Sequence, residues 1–173
     1  MSSTEIVDFS TNDLSGTVPE SIYNLTSLIS FSISNNTKLG GRLDSRIGQL
    51  TALSTIEAGD TLLEGRIPDE LYQLTRLTDI IFSNASMSGT LAENLHQLNT
   101  TLTTLRLNDN RLTGPIPQAL DVLTALEGLF LDGNSLTGTI SDQVCSERGV
   151  GFQKLFFLYA DCNIVCNCND EKC

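Results

Sequence analysis

Apolar residues recur along this chain in short bursts of period two. The pairs are Val7/Phe9, Phe31/Ile33, Ile56/Ala58, Ile80/Phe82, Leu105/Leu107 and Leu129/Leu131. Alternation over so short a span predicts a brief half-buried strand. A leucine stands three positions before five of these pairs, at Leu28, Leu53, Leu77, Leu102 and Leu126. A glycine follows each burst: Gly16, Gly41, Gly65, Gly89, Gly114 and Gly138, at steps of 25, 24, 24, 25 and 24. Apolar residues stand two before each glycine (Leu14 to Leu136), two after (Val18 to Ile140) and four further on (Ile22 to Val144).

A period of this length marks a repeat architecture. One coil of about 24 residues cannot close a core, but stacked coils share one, and their short strands then pair into a parallel sheet. The repeated glycine is expected at a tight turn leaving the strand, where positive φ or close backbone approach is needed. Pro19, Pro68 and Pro117, each after Ile or Val, fix φ and favour a slim outer side. Two one-residue insertions, around Thr37-Lys38 and around Asn99–Thr101, are expected in surface loops.

Residues Leu102 to Leu112 fit the pattern L-x-x-L-x-L-x-x-N-x-L at every defined position. The continuation Leu-Thr-Gly-Pro-Ile-Pro117 is echoed by Leu-Glu-Gly-Arg-Ile-Pro68 and Leu-Ser-Gly-Thr-Val-Pro19. Here the chain resembles the plant-type leucine-rich repeat family, in its receptor-like or secreted extracellular members from plants and photosynthetic protists. The resemblance implies an α/β repeat solenoid, a right-handed superhelix with a short-stranded parallel concave sheet and a mostly irregular or 3-10 convex side. Residues 1–151 would form about six coils, and 152–173 the last coil with a Cys-rich cap. The family's asparagine, here Asn12, Asn36, Asn110 and Asn134, is expected inside, bonding neighbouring turns. Thr61 and Ala85 replace it in the middle coils; Thr61 can keep part of that bonding, and a buried water or an unpaired backbone group is expected at Ala85.

The 173 residues carry a formal charge of −11, a poor match to nucleic-acid phosphates or an anionic membrane. No apolar run approaches the roughly 18 residues that span a bilayer, and the first residues show no signal-peptide pattern. Cys145, Cys162, Cys166, Cys168 and Cys173 cluster in the last thirty residues and are read as a disulfide cap, which implies an oxidising compartment. Zinc is the alternative, but paired C-x2-C knuckles and a nearby histidine are missing. Five is odd, so one thiol is free or pairs outside this stretch. The first coil, entered at about Thr4, has no cap over Val7 and Phe9, which together with the odd cysteine suggests an excerpt of a longer ectodomain or a fragmentary gene model. Asn24, Asn35, Asn84 and Asn99 head N-x-S/T sequons, candidate glycan sites that also point to the secretory pathway.

Strand residues between the buried ones are expected to face the concave side. The central column reads Asp8, Ser32, Glu57, Ile81, Arg106, Phe130; the next reads Ser10, Ser34, Gly59, Ser83, Asn108, Asp132. Neighbouring outward positions add Glu5, Asp60, Asp79, Asp109 and Glu127. This face, acidic with a single aromatic, is the candidate ligand site. A basic or mixed peptide, or a protein, would use Ile81 and Phe130 as anchors and the acids for steering; a merely solvated sheet is the plain alternative. His96, the only histidine, is expected on the convex loop, and no G-x-S-x-G, Walker or H-E-x-x-H motif occurs, so no enzyme, cofactor or metal site is expected. Three readings remain: a receptor-like recognition module, a secreted inhibitor of wall-degrading hydrolases, and an ice-binding solenoid. The last rests on Ser15-Gly-Thr17, Ser88-Gly-Thr90 and Thr137-Gly-Thr139, an array interrupted by Arg42, Glu64 and Arg66.

Overall fold

The computed structural model describes residues 4–141, 144, 157–161 and 164–166. With strands numbered in chain order, the period-two bursts form β1 (Ile6–Asp8), β3 (Ser30–Ser32), β5 (Thr55–Glu57), β7 (Asp79–Ile81), β9 (Thr104–Arg106), β11 (Gly128–Phe130) and β13 (Phe157–Tyr159). They pair in parallel, in that order, as one seven-stranded sheet. Val7, Phe31, Ile56, Ile80, Leu105, Leu129 and Leu158 stack as partners along its inner side.

The glycine segments, expected as turns, are themselves extended. They form β2 (Ser15–Thr17), β4 (Asn36–Gly41), β6 (Thr61–Gly65), β8 (Ser86–Gly89), β10 (Arg111–Pro115), β12 (Ser135–Ile140) and β14 (Ile164–Cys166). These make a second seven-stranded parallel sheet. Its alternation is hidden in the sequence because a glycine occupies the centre of each apolar-x-Gly-x-apolar run. The glycines still serve both expected purposes: all six repeat glycines have φ between 83° and 101°. A Cβ on Gly41 would also lie 2.8 Å from the Thr17 methyl of the coil before.

The convex side carries short 3-10 helices η1 (Glu20–Asn24), η2 (Ser45–Gln49), η3 (Asp69–Gln73), η4 (Glu93–Leu98) and η5 (Gln118–Val122). Pro19, Pro68 and Pro117 hold the extended N-cap positions of η1, η3 and η5. Ile22, Ile47, Leu71, Leu95 and Leu120 point from these helices into the core. Leu28, Leu53, Leu77, Leu102 and Leu126 are at most 2% exposed, each contributing on the order of 2 kcal/mol of burial. At the first coil Phe9 is 51% exposed.

One insertion departs from the loop expectation and the other meets it. The first is a register shift inside β4, where Asn36 pairs with Thr61 but Gly40 with Leu62; Thr37 and Lys38 bulge into solvent. The second lies where expected, in the turn at 99–101: Leu98 to Leu102 spans four positions where Leu74 to Leu77 and Leu123 to Leu126 span three.

The asparagine ladder is present. Asn36 donates to the carbonyls of Phe9 and Ile33, both at 2.9 Å, and accepts from Leu14 N. Asn110 and Asn134 repeat the pattern one coil apart. The unpaired group expected at Ala85 is not found. By the ladder's spacing an asparagine there would serve the Phe82 and Ala58 carbonyls and Leu63 N. Asn110 donates to Phe82 O at 2.6 Å, and Thr61 Oγ1 donates to Ala58 O at 2.8 Å and accepts from Leu63 N at 3.4 Å. The two neighbouring coils close the gap from either side.

Candidate functional site

The expected central column is in register: Asp8, Ser32, Glu57, Ile81, Arg106 and Phe130 are successive partners across the first sheet. Ser32 alone among them is buried, its hydroxyl donating to Glu57 Oε2 at 3.0 Å. Asp8 accepts from Ser10 N at 2.9 Å, and the Ser10 hydrogen bonds hold its carboxyl below the usual range.

Six of the seven strands of the first sheet are followed, three positions on, by a corner residue with φ between 49° and 69°: Thr11, Asn35, Asp60, Asn84, Asp109 and Gly133. This column explains four of the singled-out residues. Asp60 and Asp109 stand at corners beside the concave wall, and Asp60 accepts from Asn84 Nδ2 at 2.6 Å. Asn35 and Asn84 occupy the same corners and are exposed. Asn, Asp and Gly tolerate left-handed backbone best, so their recurrence one position after the second outward column was the available signal. Asp79 lies on the other flank, accepting from Thr78 Oγ1 at 2.7 Å. Asn24, at the end of η1, and Asn99, after η4, are exposed on the convex side.

The expectation of a single aromatic on this face is overturned. The sheet continues past Phe130 to Tyr159, its register partner, with Phe157 opposite Gly128. The Phe130 and Tyr159 rings stack at 5.1 Å and 11°, and Phe130 and Phe157 lie 6.2 Å apart. Arg106 lays its guanidinium 4.6 Å from the Phe130 centroid. Sequence reasoning missed both rings because the last coil abandons the 24-residue step: Leu129 pairs with Leu158, 29 positions on. Asp132 follows Phe130 along the strand exit, half-buried.

Of the cysteines, Cys145, Cys162, Cys168 and Cys173 lie outside the described residues, and Cys166 is described only as the last backbone position of β14. His96 is exposed on η4, its Nδ1 2.6 Å from Glu93 O, on the side away from the concave acids. Among the described residues no group of three His, Cys, Asp or Glu could hold a metal ion, and no helix is long and apolar enough to cross a membrane.

Comparison with known proteins places this geometry. The profile of the Leucine Rich Repeat family matches residues 101–123. The chain is 31% identical to a chain of the BIR3–SERK2 complex from Arabidopsis thaliana, covering 78% of this chain and 70% of that one, with a TM-score of 0.69. The chain belongs to the plant-type leucine-rich repeat family. The same family fold appears in the Arabidopsis receptor kinase HAESA, solved with the peptide hormone IDA and the co-receptor SERK1. That match is 27% identical, covers 90% of this chain and 25% of that one, and has a TM-score of 0.80. A plant ice-binding protein matches at 26% identity over 81% of this chain and 44% of that one, with a TM-score of 0.71. The chain spans only 16–25% of the receptor chains it matches. Among curated protein sequences, none matches significantly.

Proposed function

We propose that this chain is an extracellular recognition module of a receptor-like leucine-rich repeat ectodomain, and that it binds a basic or mixed peptide, or a partner protein, through its concave sheet. The observation that carries the reading is the unbroken seven-stranded wall. In one register it presents the carboxylates of Asp8 and Glu57 beside the apolar and aromatic side chains of Ile81, Phe130 and Tyr159. Carboxylates at its flanks steer a cationic partner, while the apolar residues supply the buried contacts that dominate affinity. Its relatives include an ectodomain solved with a peptide hormone. The role is recognition rather than catalysis, and the setting is the cell surface or the extracellular space.

The test is selection of a randomised peptide library on the whole immobilised chain, followed by affinity measurement on the variant Phe130→Ala/Asp132→Ala. A loss of about tenfold or more is expected; unchanged binding of every selected peptide counts against the concave site.

The hydrolase-inhibitor reading gains from the extra rings, since an enzyme-complementary wall calls for aromatic as well as charged groups; a wall-hydrolase inhibition assay separates it. The ice-binding reading has the similarity to a plant ice-binding protein in its favour. Against it, Arg42 and Arg66 lie across Gly65 and Gly89 in the middle of the hydroxyl array, and Arg42 pairs with Glu64 at 3.5 Å. Thermal hysteresis measures it directly.

A further inference from the structure

The C-terminal end of the concave wall is unlike the rest. Phe157 is 55% and Tyr159 43% exposed, two adjacent solvent-facing rings on a surface otherwise small and acidic. Their arrangement is built rather than incidental. Arg106, Phe130 and Tyr159 are register partners on three successive strands, so the guanidinium and the tyrosine ring cover opposite faces of Phe130. Ring spacing of 5.1 Å matches the strand spacing of ~4.8 Å. Gly128 makes the room: a Cβ there would lie 3.1 Å from Phe130 Cε2.

This geometry restricts the ligand. A cation prefers the face of an aromatic ring, and both faces of Phe130 are taken. What Phe130 offers to the groove is its rim, the positive edge of the ring quadrupole, which favours the face of another aromatic in an edge-to-face contact. Asp132 stands two residues beyond Phe130 and Asp109 three beyond Arg106 on the neighbouring strand, with Asp79 and Glu57 further along the wall, so a neutral or acidic aromatic ligand would leave that field unused.

We infer that Phe130, Phe157 and Tyr159 form a subsite for one aromatic side chain of a cationic peptide, whose Lys or Arg residues lie over the neighbouring carboxylates. The inference rests on the concave-face reading and narrows it to a ligand class.

The same peptide selection tests it. Selected sequences should pair one Phe, Tyr or Trp with nearby Lys or Arg. Replacing that aromatic by cyclohexylalanine, equal in bulk but without the ring quadrupole, should weaken binding about two- to tenfold. The variant Phe157→Ser/Tyr159→Ser should erase the difference between the two peptides, and Tyr159→Phe should keep it. Selected peptides that are basic without an aromatic preference, or that bind the cyclohexylalanine form equally well, overturn the subsite while leaving the concave face in place. A preference that survives the double serine variant also overturns it. Failure to enrich any peptide over a blank surface removes the peptide-binding form of the concave-face reading, and the subsite with it. The cyclohexylalanine comparison uses the unaltered protein, so it decides the matter even if the serine variant does not fold.

Discussion

Asn110 donates its side-chain amide to the Phe82 carbonyl one coil upstream at 2.6 Å, and its carbonyl accepts from Met87 N at 2.9 Å. Asn110 gives both buried groups their side-chain partner, and with Ala85 in place of an asparagine the Phe82 carbonyl has no second one. Asn110→Ala should therefore cost about 2–4 kcal/mol, against about 1–2 kcal/mol for Thr61→Ala. Chemical denaturation of the two variants checks the ranking; equal costs would mean the ladder is not bridged as described.

Gly16 and Gly114 share a φ near 84° but not a neighbourhood. Nothing lies within 4 Å of a Cβ on Gly16, whereas one on Gly114 meets the Thr90 methyl at 2.8 Å. Gly16→Ala is expected to cost about 1–2 kcal/mol from backbone strain alone. Gly114→Ala should cost about 1–3 kcal/mol more through the clash. Adding Thr90→Ser, which removes that methyl, should recover the excess, and a double-mutant cycle measures it.

Asp44 is held at a pKa of about 2, chiefly by its side-chain hydrogen bonds from Arg46, then by Arg46 N. A carboxylate lowered on folding contributes stability above its ordinary value near 4 and loses it as pH falls towards 2. Glu20, which also binds Arg46, is lowered in the same direction by that hydrogen bond. The melting temperature of the wild type should thus fall between pH 4 and 2 more steeply than that of Asp44→Asn. Because the group is partly exposed, salt should flatten the difference. Parallel curves would show that Asp44 carries none of the acid sensitivity.

Expression through a eukaryotic secretory pathway should add glycan mass at Asn24 and Asn99, both exposed and clear of the concave wall. Glycosidase treatment with intact mass measurement reads the occupancy. Glutamine at both positions should remove that mass without changing peptide binding, while a sugar on Asn84 would leave its Nδ2 a single hydrogen for the bond to Asp60.

The central column was legible from Asp8 to Phe130 because alternate side chains of a strand face opposite ways and the coil length is nearly constant. It stopped there because Tyr159 follows after a longer step, although the apolar spacing resumes at Leu155, Leu158 and Ala160 and brackets it. The second sheet was illegible for a different reason. Its central residue is glycine, which has no side chain to declare a face, so Leu112-Thr-Gly-Pro-Ile reads as a turn although its neighbours pair as a strand. The bulge at Thr37-Lys38 was located correctly as an irregularity but not as one within a sheet. Ala85 shows the limit of residue-by-residue reading, since its compensation comes from Thr61 and Asn110 on other coils.

The two sheets differ in register. Val7 faces its own counterpart Phe31 in the next coil, but Gly16 faces Leu39, two residues short of its counterpart Gly41. Paired strands are about 4.8 Å apart in both sheets, so the two-residue offset is a slide along the strands of the second sheet, and each coil is turned relative to the one before. Seven strands span about 29 Å of inner path, which about nine extended residues traverse. A guest of that length can touch every coil.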